Sequence, residues 1–136
     1  MELRIAQITD ADAIIAFDHV AASEPARVQF IHDQIESSAC YIAVIDAKVV
    51  AYAVLNYTFY DNGWIEMLYV HPQFRRQGIG SALIRHLINA CRTPKLFTST
   101  NQSNFPMQRL LATLEFDRSG FIENLDEGDQ EVVYFK

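Results

Sequence analysis

Apolar and polar positions change period several times along this chain, and each change marks an element. From Leu3 to Gln7 they alternate, the signature of a short strand. Thr9 and Asp12, just before an apolar run, read as a helix start, and Ile14, Ile15, Phe17 and Val20 continue that first helix. Pro25 suits the first turn of a second helix, whose stripe Val28, Ile31 and Ile35 recurs at a helical period. Cys40–Ile45 and Val49–Phe59 are strands, the latter rich in β-branched and aromatic residues, joined by the turn Asp46-Ala47-Lys48. Asp61-Asn62-Gly63 is the strongest hairpin signal and pairs a strand over Trp64–Val70 antiparallel to its predecessor. Pro72 stops that strand. A helix over Gly78–Cys91 follows, with Ile79, Leu83, Leu87 and Ala90 inward and Arg85, Asn89 and Arg92 outward. Lys95–Thr100 is a strand that, following a helix, should lie parallel to the Trp64 strand through a right-handed crossover. Pro106 opens a helix with Met107, Leu110, Leu111 and Leu114 inward, and Arg118–Ile122 and Glu131–Phe135 are the last strands. Between these two lies an acidic loop, Glu123–Gln130. The order predicts an α/β fold with a mixed, mostly antiparallel sheet, a central βαβ unit and flanking helices.

Composition narrows the class without changing that picture. A chain of 136 residues, 50% hydrophobic and 21% charged, suits one folded domain over residues 1–136 and not a disordered segment. No apolar run approaches the roughly 18–20 residues that span a bilayer, so no membrane association is expected. The start Met1-Glu2-Leu3-Arg4 lacks the basic flank and apolar core of a signal peptide, which favours the cytoplasm. Cys40 and Cys91 are too few for a disulfide framework, and neither they nor His19, His32, His71 and His86 show metal-ligand spacing, so no metal is expected. A formal charge of -6 argues against general nucleic-acid binding and is compatible with a cationic substrate.

The chemistry concentrates where the Trp64 strand passes into the helix. Two of only five glycines, Gly78 and Gly80, stand at that helix start, where glycine is a poor helix former. A helix N-terminus offers unpaired N–H groups and partial positive charge, and Arg75 and Arg76 add full charges beside it, which suits a pyrophosphate. The nucleotide P-loop is excluded because Gly80 is followed by Ser81-Ala82 rather than Lys-Ser/Thr, and the dinucleotide fingerprint because Leu83 stands where its third glycine belongs. Arg75-x-x-Gly78-x-Gly80, after a strand ending Leu68-Tyr69-Val70-x-Pro72, resembles the coenzyme A-binding motif of the GNAT superfamily of N-acyltransferases. The likeness extends to the order of elements from Leu3 to Phe135, and the segment from Asn104 to Phe116 is similar to that family's next helix.

The resemblance implies an enzyme, an acetyl-CoA-dependent N-acetyltransferase acting on a primary amine by direct attack in a ternary complex. It implies a pyrophosphate on the backbone of Gln77, Gly78, Ile79, Gly80 and Ser81 with Arg75 and Arg76 nearby, and a pantetheine arm along Leu68, Tyr69 and Val70 with Asn104 beside it. The family splays this strand from the next one, usually through a bulge. An alkylammonium with a pKa of about 10.4 must lose a proton before it attacks. Glu66, two residues before the pantetheine segment and there expected to be partly desolvated, is the candidate base, and the Leu68 main-chain N–H the candidate oxyanion donor. The family's usual acid, a tyrosine, is replaced by Leu111, and the glycine usual before Phe116 by Glu115; Tyr57, Tyr69 and Tyr134 are substitutes to consider. Glu123, Asp126, Glu127, Asp129 and Glu131 could draw in a cationic small-molecule or peptide amine, and Phe17, Phe30, Tyr57, Phe59 and Tyr60 could line its pocket, though loop solvation and core packing are the ordinary roles of such residues. The alternative is a coenzyme A-binding regulatory or sensor module without turnover. A homodimer through the C-terminal strands is compatible with either.

Overall fold

The computed structural model describes residues 1–136 as one seven-stranded sheet with helices on both faces. Its elements are β1 (Glu2–Ile5), α1 (Ala11–Phe17), α2 (Pro25–Glu36), β2 (Cys40–Ile45), β3 (Lys48–Phe59), β4 (Asn62–Val70), α3 (Ile79–Ala90), β5 (Leu96–Asn101), α4 (Phe105–Thr113), β6 (Asp117–Asp126) and β7 (Asp129–Phe135). The strand order is β1-β2-β3-β4-β5-β7-β6, and only β4 and β5 are parallel, so the mixed sheet and the crossover through α3 are as expected.

β3 is buried without a break from Val49 to Leu55 because both of its faces are covered. Ile14, Phe17, Ile31 and Ile35 from α1 and α2 pack on Ile42, Tyr52 and Val54 on one face. Ile79, Leu83, Leu87 and Leu111 from α3 and α4 pack on Ala51, Ala53, Leu55 and Ile65 on the other.

Several local expectations shift. The first helix starts from a different cap: Gln7 N–H donates to the Asp10 carboxylate at 2.7 Å, and Arg4 grips the same group at 2.9 Å, holding it below the usual carboxylate range. That helix stops at Phe17 instead of reaching Val20, because the buried Asp18 side chain accepts the Val20 N–H at 3.0 Å and turns the chain. Asp18 also takes Tyr52 Oη at 2.5 Å and Arg27 Nη1 at 2.7 Å, pinning the α1–α2 loop to β3. The β3–β4 turn is Tyr60-Asp61, both left-handed (φ 51° and 63°), one residue earlier than the Asp61-Asn62-Gly63 signal suggested. Gly63 lies inside β4 for a packing reason: a Cβ there would be 2.4 Å from Cys91 Sγ. The expected acidic loop is mostly strand, since β6 runs on to Asp126 and β7 starts at Asp129, leaving Glu127-Gly128 as the turn. No helix is long and apolar enough to cross a membrane.

Candidate functional site

β4 is a strand that changes partner half-way. It pairs with β5 only at Gly63–Leu96, Trp64–Phe97 and Ile65–Thr98. There the buried Thr98 Oγ1 donates to the Ile65 carbonyl at 2.9 Å and ends the ladder. Against β3, the register jumps from Leu55–Ile65 to Val54–Met67, so Glu66 is the unpaired residue of a β-bulge. Beyond it β4 and β5 part and a gap opens. The His71 N–H donates to Val50 at 2.8 Å, which makes that a hydrogen-bonded pair. By alternation the main-chain groups of Leu68 and Val70 then point away from β3, into the gap.

On the α3/α4 face the gap widens into a cleft of about 640 Å³ lined by Leu68, Tyr69, Val70, Arg75, Arg76, Gly78, Ile79, Gly80, Ser81 and Asn104, with Phe74, Pro106, Met107 and Leu110. Of the residues the motif assigns to cofactor binding, Gln77 alone is outside this lining; it is exposed in the turn before Gly78. No protein acceptor takes the N–H groups of Gly78, Ile79, Gly80 or Ser81, and the first helical bond is Ala82 N–H to the Gly78 carbonyl at 3.0 Å. Gly78 is left-handed (φ 78°), and so is Arg76 (φ 63°), a strained choice for a side-chain-bearing residue. Arg75 is already engaged: Nε donates to the Val70 carbonyl at 3.0 Å and the guanidinium lies 5.3 Å from the Tyr69 ring centre. Asn104 caps α4 by accepting the Met107 N–H at 3.2 Å, which leaves its amide nitrogen for the cleft.

The opposite side of the gap belongs to Glu66. Its carboxylate is exposed and accepts Asn56 Nδ2 at 2.7 Å, so the partial desolvation expected of it is absent. Leu111 is fully buried in the core, so nothing at that position can donate a proton. The hydroxyls of the three candidate tyrosines are occupied: Tyr57 accepts the Arg92 N–H at 3.1 Å, Tyr69 is hydrogen-bonded to His19, and Tyr134 lies 3.5 Å from Gln108 Oε1. Cys40 is buried and its thiol pushed up to about 12. His71 accepts the Gln73 N–H at 3.0 Å in the turn after β4, and burial, with Lys48 and Arg75 nearby, depresses its pKa.

Three of the acidic residues tie the β6–β7 hairpin down. Asp126 accepts Asn101 Nδ2 at 2.8 Å, Asp129 accepts Ser103 Oγ at 2.6 Å, and Glu131 accepts Ser99 Oγ at 2.7 Å. Glu123 and Glu127 are exposed on the hairpin. The expected aromatic lining is scattered. Phe17 and Phe30 belong to the α1/α2 core, Tyr57 reaches the end of α3, and only Phe59 and Tyr60 meet, their ring centres 5.0 Å apart. Sequence reasoning missed the row Trp64, Phe97 and Phe135 on the same sheet face as Asn56. The available signal was alternation, which sets these three opposite Ile65, Leu96 and Tyr134.

Residues 6–116 match the model of the Acetyltransferase (GNAT) family. The chain belongs to that family. A GNAT-family acetyltransferase of Bacillus cereus is 32% identical, with a TM-score of 0.93 over 99% of this chain and 95% of its own. A protein named N-alpha-acetyltransferase, from Sulfurisphaera tokodaii, is 26% identical over 84% of this chain and 78% of its own length. An acetyltransferase of Bacillus anthracis, solved with acetyl coenzyme A, shares the fold at 19% identity and a TM-score of 0.65, over 71% of this chain and 60% of its own. As a GNAT member the chain is an acyltransferase that moves an acetyl group from acetyl-CoA to an amine. The cleft suits that donor: four free N–H groups meet at a helix start, and Gly80 leaves open the space a Cβ would fill beside Leu68, Val70 and Leu110.

Proposed function

We propose that this chain forms one acetyltransferase domain that acetylates a primary, cationic amine by direct attack in a ternary complex. One observation carries the reading. The bulge at Glu66 opens a passage between two differently equipped faces, a cleft rich in main-chain donors and a face bearing carboxylates. Acetyl-CoA supplies an activated thioester. The residues Gly78 to Ser81 are assigned to its pyrophosphate, with Gln77, Arg75 and Arg76 adjoining. The outward main-chain groups of Leu68 and Val70 would hold an extended arm, with Asn104 alongside. The Leu68 N–H, aimed into the gap, is the donor for an oxyanion there. Glu66 receives the amine's proton, directly or through one water; its exposure and its bond to Asn56 keep it anionic and oriented. Peptide and small-molecule acceptors both fit, and the name of the Sulfurisphaera relative supports an α-amine.

A Glu66→Gln variant should lose about 100-fold or more in kcat/KM at neutral pH, the usual worth of a positioned base. The deficit should shrink as pH rises towards the amine's own pKa. Coenzyme A release from acetyl-CoA with a panel of primary amines measures both. Equal activity of variant and parent would remove Glu66 from the mechanism. Tight acetyl-CoA binding with no release on any amine would favour the module without turnover, which the family membership does not.

A further inference from the structure

The sheet face opposite α3 and α4 carries a lateral row of aromatic rings at the base of the gap. Trp64 and Phe97 are paired across β4 and β5, and Phe97 and Phe135 across β5 and β7. The Phe97 and Phe135 ring centres are 5.9 Å apart, and Phe59 leans over the row, 4.5 Å from Trp64 and 5.1 Å from Phe97. All four are only half-buried, and none belongs to the core on either side of the sheet. Beyond the row, at the mouth of the gap, stand two carboxylates. Glu66 is held by Asn56, the cross-strand partner of Trp64, and Glu131 by Ser99, two residues past Phe97 on the same face. Two residues of strand are about 6–7 Å.

Neither carboxylate has a basic partner. The protein's ion pairs are Arg4–Glu2, Arg4–Asp10, Arg27–Asp18 and Lys136–Glu115. This face therefore offers uncompensated negative charge at the mouth of the gap and flat apolar surface one step below it. Resting on the acetyltransferase reading, we propose that the acceptor is a primary ammonium joined by a short spacer to an aromatic ring. The ammonium lies between Glu66 and Glu131, and the ring lies against Trp64, Phe97 and Phe135. Glu131 is then a specificity-determining residue, distinct in role from Glu66. An arylalkylamine and a peptide N-terminus with an aromatic first residue share this chemistry.

Trp64 is the single tryptophan, so its emission reports occupancy directly. With coenzyme A present, 2-phenylethylamine or phenylalanyl-alanine amide should change that emission saturably, and ethylamine should not. With acetyl-CoA, kcat/KM for 2-phenylethylamine should exceed that for ethylamine and for 1,4-diaminobutane at least ten-fold. If the dipeptide amide is preferred to 2-phenylethylamine the source is a peptide, and the reverse order makes it a free amine. Phe97→Ala should remove most of the preference for the ring and leave the acetyl-CoA KM unchanged. Glu131→Gln, on an already accessible surface, should raise the KM of both amines about ten-fold. Equal kcat/KM for 2-phenylethylamine and ethylamine, or a preference for the diamine, would overturn the proposal while leaving the transferase reading intact. Saturable emission without release from any amine would do the opposite.

Discussion

A methyl group added at Gly80 would lie 3.5 Å from Leu68 Cδ2, 3.6 Å from Leu110 Cδ2 and 3.7 Å from Val70 Cγ2. These are ordinary contacts, so Gly80→Ala should fold, and α3 should gain up to about 1 kcal/mol from the better helix former. The same methyl occupies the cleft. Acetyl-CoA affinity, read by calorimetry, should fall at least ten-fold while the melting temperature holds or rises; unchanged affinity would dissociate Gly80 from the donor site. The glycines were legible in the sequence because two at a helix start contradict local propensity and so demand a reason. The setting of Glu66 was not. Ile65-Glu66-Met67-Leu68 carries no mark of an extra residue, and only the register against Val54 and Leu55 exposes the bulge. Burial could not be read at that position either, because it depends on which helices stop short of β4.

Among elements, the short β4–β5 ladder decides where the gap begins. Its last main-chain acceptor, the Ile65 carbonyl, is satisfied by the side chain of Thr98. In Thr98→Val that acceptor loses its partner in a buried place, at a cost of about 1–3 kcal/mol. The end of the ladder should loosen, and with it the orientation of Glu66 and Leu68. Urea unfolding should register the stability loss, and kcat should fall more than the acetyl-CoA KM rises. Thr98→Ser, which keeps the hydroxyl, should restore both. If the valine variant turns over normally, the cap has no bearing on the site. Element boundaries were less legible than element order. The β3–β4 turn moved because Gly63 serves a contact with Cys91, a relation between residues far apart in sequence. The acidic stretch reads as a loop from composition alone, yet Asp126, Asp129 and Glu131 find hydroxyl and amide donors on or just beyond β5, which hold it as a hairpin.

Across the whole molecule, topology was the most legible level, since alternating strand and helix periods with one crossover admit few arrangements. The same topology has a further result. β4 and β5 share three residue pairs, and the chain passes between them once, from Cys91 to Lys95. Residues 1–93 thus hold β1 to β4 with α1, α2 and α3, and residues 94–136 hold β5, β6, β7 and α4. Leu96, Leu111, Val132 and Tyr134 from the second piece share one core with Ile65, Leu83 and Leu87 from the first. Cut between Thr93 and Pro94, the two pieces should find each other through that core. Co-expressed fragments are expected to elute together and to regain acetyl transfer, whereas pieces that migrate apart would show that the linker does more than connect. The divide that admits the donor would then also serve as the seam of a split enzyme, its activity reporting whether two tethered proteins have met.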